Sequence, residues 1–500
     1  MPCANFSFFK ADDKYTTMPE HSVKLSFLKL FRYEILCIIL FCSCVPVTRD
    51  PLAPVSLPAQ FSETGANRMA ARWWDDLNDP PLSKLINSAI SDNFTLLIAR
   101  NRLLEAQAIA RQAGAFLLPS LDIKGSGASS RNHTRETTSN NLILGLAASY
   151  ELDLWGRVRS LRDAAELNAI AGEEDYHTAI ISLSAEVAKS WYQLIETYLQ
   201  LDLLRSQRNT NTKVLDLISV HFRAGQAGIA DVLQQRQLVE AATGDIAALQ
   251  AGKRVLEHQL AILLGKTPGT ISLPVPHSLP TLPPLPETGL PINLLNTRPD
   301  IKSSYFRLRA ADYSVAAAVA DRLPRLSISA DISTTGKRAG DLFNNWISSL
   351  GANLFGPLID GGRRKAEVDR TRAIAGQAFY RYGQTVIEAI GEVENSLIQE
   401  KEQRKIIASL ETRLQLAADS IEHIGHRYRQ GADDYQRVLL ALLSHQGLQR
   451  TLLYNRLKLI NYRIALYRAL SGSTPYFTAG KTQTETPATH GAPVGQTGTQ

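Results

Sequence analysis

The chain has 500 residues, 44% of them hydrophobic, with a mean hydropathy of −0.12 and a formal net charge of +6. That length calls for more than one folding unit, and that average excludes a bundle of membrane-spanning helices. Acids and bases are interspersed, and no basic block carries interleaved aromatics, which excludes a nucleic-acid-binding surface.

All four cysteines, Cys3, Cys37, Cys42 and Cys44, fall in the first 44 residues, so the body can hold neither a disulfide framework nor a cysteine zinc site. Lys24, Lys29 and Arg32 precede the apolar run Ile35 to Phe41. A run of about ten residues is too short to cross a bilayer as a helix and fits the core of an export signal. The long stretch before Lys24 makes Met18 an alternative start. Phe41-Cys42-Ser43-Cys44 resembles a bacterial lipobox, which implies a lipid on Cys44 and 1–44 as a removable leader. An ordinary signal peptide with incidental cysteines is the other reading. Residues 45–72 then form an extended tether marked by Pro51, Pro54 and Pro58.

From Trp73 onward one unit is written twice, as 73–267 and 298–472. Asn101-Arg102-Leu103-Leu104 matches Phe306-Arg307-Leu308-Arg309, and Leu118-Pro119-Ser120-Leu121 matches Leu323-Pro324-Arg325-Leu326. Gly156-Arg157 matches Gly362-Arg363, Gly225 matches Gly431, and Val232-Leu233 matches Val438-Leu439, the offset being 205 or 206 residues throughout. One inserted residue over so long an alignment marks a duplication.

Each unit opens with an alanine-rich helix, predicted from Asp92 to about Ala115 and from Pro299 to about Asp321, and stopped by Pro119 or Pro324. Two alternating segments follow, strands at about 121–152 and about 326–358. Leu142, Leu144, Leu146, Ala148, Tyr150 and Leu152 share one period-2 face, and so do Leu326, Ile328, Ala330 and Ile332. The polar stretches Gly125–Asn140 and Gly336–Asn345 read as the hairpin turns. Long helices come next, at 156–264 and 362–470, the first stretch of each running without proline to about Arg223 or Gln430. Sixty-odd residues at about 1.5 Å each give helices on the order of 100 Å. Gly156 and Gly362 permit the passage from strand to helix, and Gly225 and Gly431 reverse the chain into a shorter returning helix. In the first returning helix Ala241, Gly244, Ala248 and Ala251 recur on one face, as side-by-side helix packing requires. A proline-rich linker, 268–297, joins the units, and 473–500 reads as a disordered tail.

Four strands cannot close a membrane barrel, since the smallest use about eight. An open edge in lipid leaves backbone donors and acceptors unpaired at several kcal/mol each. Several subunits must therefore share one barrel, and helices of that length must pack beside others rather than fold back. No catalytic pattern is present. Gly265-Lys266-Thr267 lacks the earlier glycine of a phosphate loop, because Leu260 stands there. His423 and His426 flank one helix face beside Glu422 without a third ligand, so neither metal nor cofactor is expected.

Five motifs carry a family resemblance. Tyr150-Glu151-Leu152-Asp153-Leu154-Trp155-Gly156-Arg157, Arg298-Pro299-Asp300-Ile301, Leu323-Pro324-Arg325-Leu326, Asp360-Gly361-Gly362-Arg363-Arg364 and Tyr428-Arg429-Gln430-Gly431 resemble those of TolC-like outer-membrane factors. More narrowly they resemble the lipoprotein branch of the multidrug efflux and NodT type. The resemblance spans about Trp73 to Gly472. It implies a mainly α fold with a small β part, closing as a homotrimer with a twelve-stranded barrel and a periplasmic helical tunnel. It also implies an outer-membrane location in a Gram-negative bacterium, docking to a periplasmic adaptor protein and an inner-membrane pump, and a passive role with no chemistry. A type I protein-secretion duct and a non-transporting, lipid-anchored coiled-coil scaffold are the competing readings.

The same resemblance implies a gate at the two helix turns. Asp231 aligns with a position tied to the tyrosine of the second turn, here Tyr428, through a hydrogen bond; the competing role for Asp231 is a helix cap. Asp433 stands where an arginine is common, and Arg437 and Leu440 stand where acids line the aperture. A cation-binding ring is therefore not expected, and the entrance reads as apolar or basic. Trp155, Trp346 and Tyr150, near strand ends, read either as interfacial aromatics or as packing.

Overall fold

The computed structural model describes residues 55–274 and 278–472; the leader, the Cys44 lipid site and the tail lie outside them. Helix α1 (Pro80–Asp92) and helix α2 (Phe94–Ala115) precede strands β1 (Ser120–Asn132) and β2 (Thr137–Leu152), then α3 (Arg157–Arg223) and α4 (Ile229–Leu263). The second unit repeats this as α5 (Pro299–Ala320), β3 (Arg325–Gly336), β4 (Trp346–Phe355), α6 (Arg363–Arg429) and α7 (Tyr435–Leu470). Helices α3 and α6 have 67 residues each, which makes each about 100 Å long. None of the described helices is long and apolar enough to cross a membrane.

The strands form one antiparallel sheet in the order β1-β2-β3-β4. Its register puts unlike residues on its two faces. Leu121, Ala148, Ala330 and Leu350 lie in one row, and Ile123, Leu146 and Ile332 in the next, all on one face. Asp122, Ala147, Asp331 and Ser349 form a row on the other face, where Lys124 reaches Asp331 at 3.7 Å. The apolar face has no cover in the subunit: Leu350 is 79% exposed. Both outer strands, β1 and β4, end the sheet with an open edge.

The first hairpin corrects the expected turn. Gly125–Asn132 and Thr137–Asn140 are strand, and only 133–136 turns, with Glu136 at φ 48 and the Asn132 carboxamide oxygen accepting from the Thr134 and Arg135 N–H groups. Their composition suggested a loop, but ladder bonds use the backbone, and small polar side chains do not obstruct pairing. The pairs from Ala128–Asn141 to Asn132–Thr137 continue past β3 as a free two-stranded arm, because β3 begins pairing only at Leu142. In the second hairpin β4 stops at Phe355 rather than about 358, just before Gly356-Pro357, where proline lacks the ladder donor.

The main core sits where α1 crosses α3, α4 and α7. Trp73 stacks on Tyr467 at 5.7 Å and meets Trp74 edge-on at 5.8 Å, and the Trp191 indole donates to Asp79 at 2.9 Å. A second core joins α5, α6 and the end of α7 through Ile301, Leu308, Val386, Val393 and Leu466. The linker is strapped across the bundle by Arg463, which donates to the carbonyls of Pro283 at 2.9 Å and Pro284 at 3.1 Å while pairing with Glu400.

Candidate functional site

Two regions gather the residues the sequence singled out: the strand-to-helix junctions and the distal helix turns. At the first junction the Arg157 guanidinium forks onto Glu151 at 2.7 to 3.0 Å, and Asp153 accepts from the Val158 and Arg159 N–H groups at 2.9 Å each, capping α3. Gly156 takes φ 74, the left-handed conformation this corner needs. The Trp155 indole donates to the Pro324 carbonyl at 2.6 Å, so this side chain ties the two units together. The second junction uses Asp360, which accepts from Gly362 N–H at 3.0 Å and Arg364 N–H at 3.2 Å, with Gly362 at φ 85. Asp321 then binds Arg325 and Arg364. Burial pushes its carboxyl up, but the two guanidinium groups outweigh that and hold it below the usual carboxylate range.

Arg298-Pro299-Asp300 has a comparable architectural role. Proline starts α5, where a missing N–H costs nothing, and Arg298 reaches Asp300 at 2.6 Å, Glu392 at 3.0 Å and the Ala469 carbonyl at 3.1 Å. It thereby fastens α5 to α6 and to the end of α7.

The distal turns share one backbone design. Gly225 (φ 73) and Gly431 (φ 72) follow the last helical residues of α3 and α6. Gln226 N–H returns to the His221 carbonyl at 2.8 Å and Ala432 N–H to the Arg427 carbonyl at 2.9 Å, closing a Schellman motif in each turn. The side chains differ. The Asp231 carboxylate accepts from Gly228 N–H at 3.1 Å, capping α4. The expected Tyr428–Asp231 hydrogen bond is not formed within the subunit, because the cap turns that carboxylate toward its own backbone. Tyr428 instead stacks on His221 at 6.1 Å and tilts against Tyr435 at 6.3 Å. Burial, and secondarily the Asp231 charge nearby, pushes the Tyr428 hydroxyl up, which keeps it a neutral donor.

Asp433 binds Arg427 at 2.7 Å and Arg437 at 2.8 Å, the first of these being the larger influence that holds its carboxyl below the usual range. The neighbouring Asp434 caps α7 by accepting from Arg437 N–H at 3.0 Å. Arg437, at 64% side-chain exposure, and Leu440, at 60%, face outward from the first turns of α7. An open pocket of about 270 Å³ between α3, α6 and α7, bordered by Val214, Ile218, Ile421, Tyr428 and Val438, leaves the seam incompletely filled above the turns.

A set of buried amides along that seam was not singled out in the sequence. The Tyr435 hydroxyl donates to Gln235, whose amide donates to the Asn211 carbonyl at 2.7 Å. Asn211 and Gln446 pair through their carboxamides at 2.9 Å, and Gln207 donates to the Gln446 carbonyl at 3.1 Å. Further up, Gln200 donates to the Arg450 carbonyl at 2.9 Å. The signal was available: Gln200, Gln207 and Asn211 recur seven and four residues apart, on one stripe of α3. Among the described residues no group of three or more acids, histidines or cysteines is placed to hold a metal ion.

This geometry can hold two helical hairpins together at the tip while leaving their seam loosely packed. The family model described as outer membrane efflux protein matches residues 85–266 and 290–472, one match per unit. The chain is 30% identical over 449 residues to the pyoverdine export outer membrane protein OpmQ of Pseudomonas aeruginosa, covering 86% of this chain and 94% of that protein. Among solved structures it is similar to the outer-membrane channel OprN, with TM-score 0.79 and 26% identity over 85% of this chain and 99% of OprN. It is similar also to CusC, in a study of folding and transmembrane channel formation, with TM-score 0.79 and 27% identity over 86% of this chain and 100% of that one.

Proposed function

This chain belongs to the outer membrane efflux protein family and is the outer-membrane component of a tripartite efflux system, and from that premise we propose how it assembles and opens. Three copies close one barrel and one helical tunnel, with Cys44 as a lipid anchor in the outer membrane. The observation that carries this reading is the four-stranded sheet with an apolar face left bare and both edges open. Joining β1 of one copy to β4 of the next satisfies both edges, and three copies supply twelve strands, above the minimum of about eight. The polar row through Asp122, Asp331 and Ser349 then lines the lumen. The distal turns meet a periplasmic adaptor, and an inner-membrane pump supplies the driving force.

The tip acts as the gate. Asp231, Tyr428, Asp433, Arg437 and Leu440 surround the entrance, and Gly156, Gly225, Gly362 and Gly431 set the corners of the tunnel wall. Within the subunit the second hairpin is held by the Tyr435–Gln235–Asn211–Gln446 amide set rather than by a Tyr428–Asp231 bond. Opening separates α6 and α7 from α3 across that seam. Asp231 and Tyr428 then act across the boundary between subunits, where Tyr428 has its hydroxyl to offer.

Purified full-length protein reconstituted in planar bilayers tests the reading. Assembled trimers conduct weakly, and Tyr435→Phe together with Gln235→Leu raises their conductance. A protein that is monomeric and conducts nothing would overturn the channel and favour the scaffold. A tip double variant with unchanged conductance in correct trimers would remove the amide seam from the gate.

A further inference from the structure

The acids and bases of the distal turns are used differently, and the difference bears on cargo. It rests on the channel reading above. Residues 221–231 and 426–437 carry three acids, Asp231, Asp433 and Asp434, and four arginines, Arg223, Arg427, Arg429 and Arg437. Each acid is engaged by donors of its own turn, and Asp433 is also enclosed. Asp231 accepts from Gly228 N–H at 3.1 Å and Asp434 from Arg437 N–H at 3.0 Å. Asp433, with a side chain only 5% exposed, is enclosed by Arg427 and Arg437.

The arginines are not matched in return. One carboxylate faces two guanidinium groups at Asp433, leaving a surplus positive charge there. Arg429 gives its Nε–H only to the Gly425 carbonyl at 3.3 Å, and the exposed Arg223 has no ion pair among the described residues. Helix-end charges do not cancel the excess. The negative ends of α3 and α6 reach the tip, but the positive ends of α4 and α7 start there too, so the partial charges offset one another. The net formal charge of these turns is +1 per subunit, and it triples where three copies converge. A narrow, low-dielectric opening focuses that field on whatever enters.

We propose that the tip is an anion-preferring entrance, and that the conduit serves small anionic compounds bearing carboxylate or phosphate groups. The class is defined by charge complementarity to outward guanidinium groups, which bind such oxyanions in forked pairs. The enclosed Asp433 contributes by holding Arg427 and Arg437 in place, not by offering its own charge.

The test is the reversal potential of full-length trimers in a planar bilayer under a potassium chloride gradient. Unmodified trimers give a chloride-to-potassium permeability ratio above one, and Arg429→Glu with Arg437→Glu brings it below one. Tripolyphosphate added from the tip side lowers the conductance at concentrations where hexaamminecobalt does not, and the double variant loses that block. Potassium preference in unmodified trimers, or an unchanged ratio in the variant, would overturn the proposal while leaving the channel intact. Trimers that do not conduct at all would remove the channel reading, and this inference with it. Arg429→Gln with Arg437→Gln is the second variant. It leaves Arg427 on Asp433, takes the turns from +1 to −1 per subunit, and should lower the ratio less than the double glutamate variant does, with the trimer mass unchanged.

Discussion

At the scale of single residues, Arg463 and Glu400 form an ion pair with side chains 0% and 2% exposed. The guanidinium forks onto Glu400 at 2.6 and 2.8 Å and also holds the Pro283 and Pro284 carbonyls. A buried pair of this kind adds little over apolar residues of similar size, but removing Glu400 strands the Arg463 charge at a cost of about 3–5 kcal/mol, whereas Glu400 keeps Arg404 at 2.8 Å when Arg463 is lost. Glu400→Leu should therefore lower the thermal transition markedly, and Arg463→Met by less. Asp433 permits a pH prediction. Its carboxyl is held below its ordinary value by Arg427 and then Arg437, so its contribution is complete above the unfolded value of about 3.9 and is lost as pH falls through the lower folded value. The small difference in melting temperature between the protein and Asp433→Asn should stay constant from about pH 5 to pH 8 and shrink below about pH 4. A difference that changes near neutrality would mean that another group holds the clamp.

At the scale of elements, the long helices were legible because their stretches contain no proline and end on glycines that must turn left-handed. Gly225 and Gly431 do so, at φ 73 and 72. An alanine at Gly431 would meet open space yet pay the left-handed strain, about 1 kcal/mol. Gly431→Ala should speed amide exchange in 426–434 and leave the sheet unchanged. The arm of the first hairpin was not legible. Gly125–Asn140 has loop composition, and its pairing comes from the backbone, which composition does not report. The buried amides were missed for a related reason. A reading based on apolar period assigns Gln207, Asn211 and Gln446 to the solvent face, whereas they pair with one another inside. Asn211→Ala leaves the Gln446 amide without its partner, a loss of about 1–3 kcal/mol. Amide exchange should rise along both sides of the seam near the tip, and no rise there would deny the seam its holding role.

At the scale of the whole molecule, the duplicated unit and the strand count point past the single chain. The sheet's row structure was readable from period-2 alternation in 142–152 and 326–332, since burial on one face forces that pattern. The gate was less readable. Asp231 and Tyr428 could be placed on opposite turns, but which atoms the Asp231 carboxylate meets depends on the local cap, a competition that alignment of motifs cannot weigh. The open edges of β1 and β4 carry the central claim that the folded unit is an assembly of copies. Native mass spectrometry of the full-length protein, released from detergent micelles, measures that directly. The expected result is one species with the mass of three subunits, stable without any partner protein. A monomer or dimer as the folded, detergent-stable species would contradict it, a monomer because four strands leave both edges open in lipid and a dimer because eight strands would close a smaller barrel than the twelve proposed here.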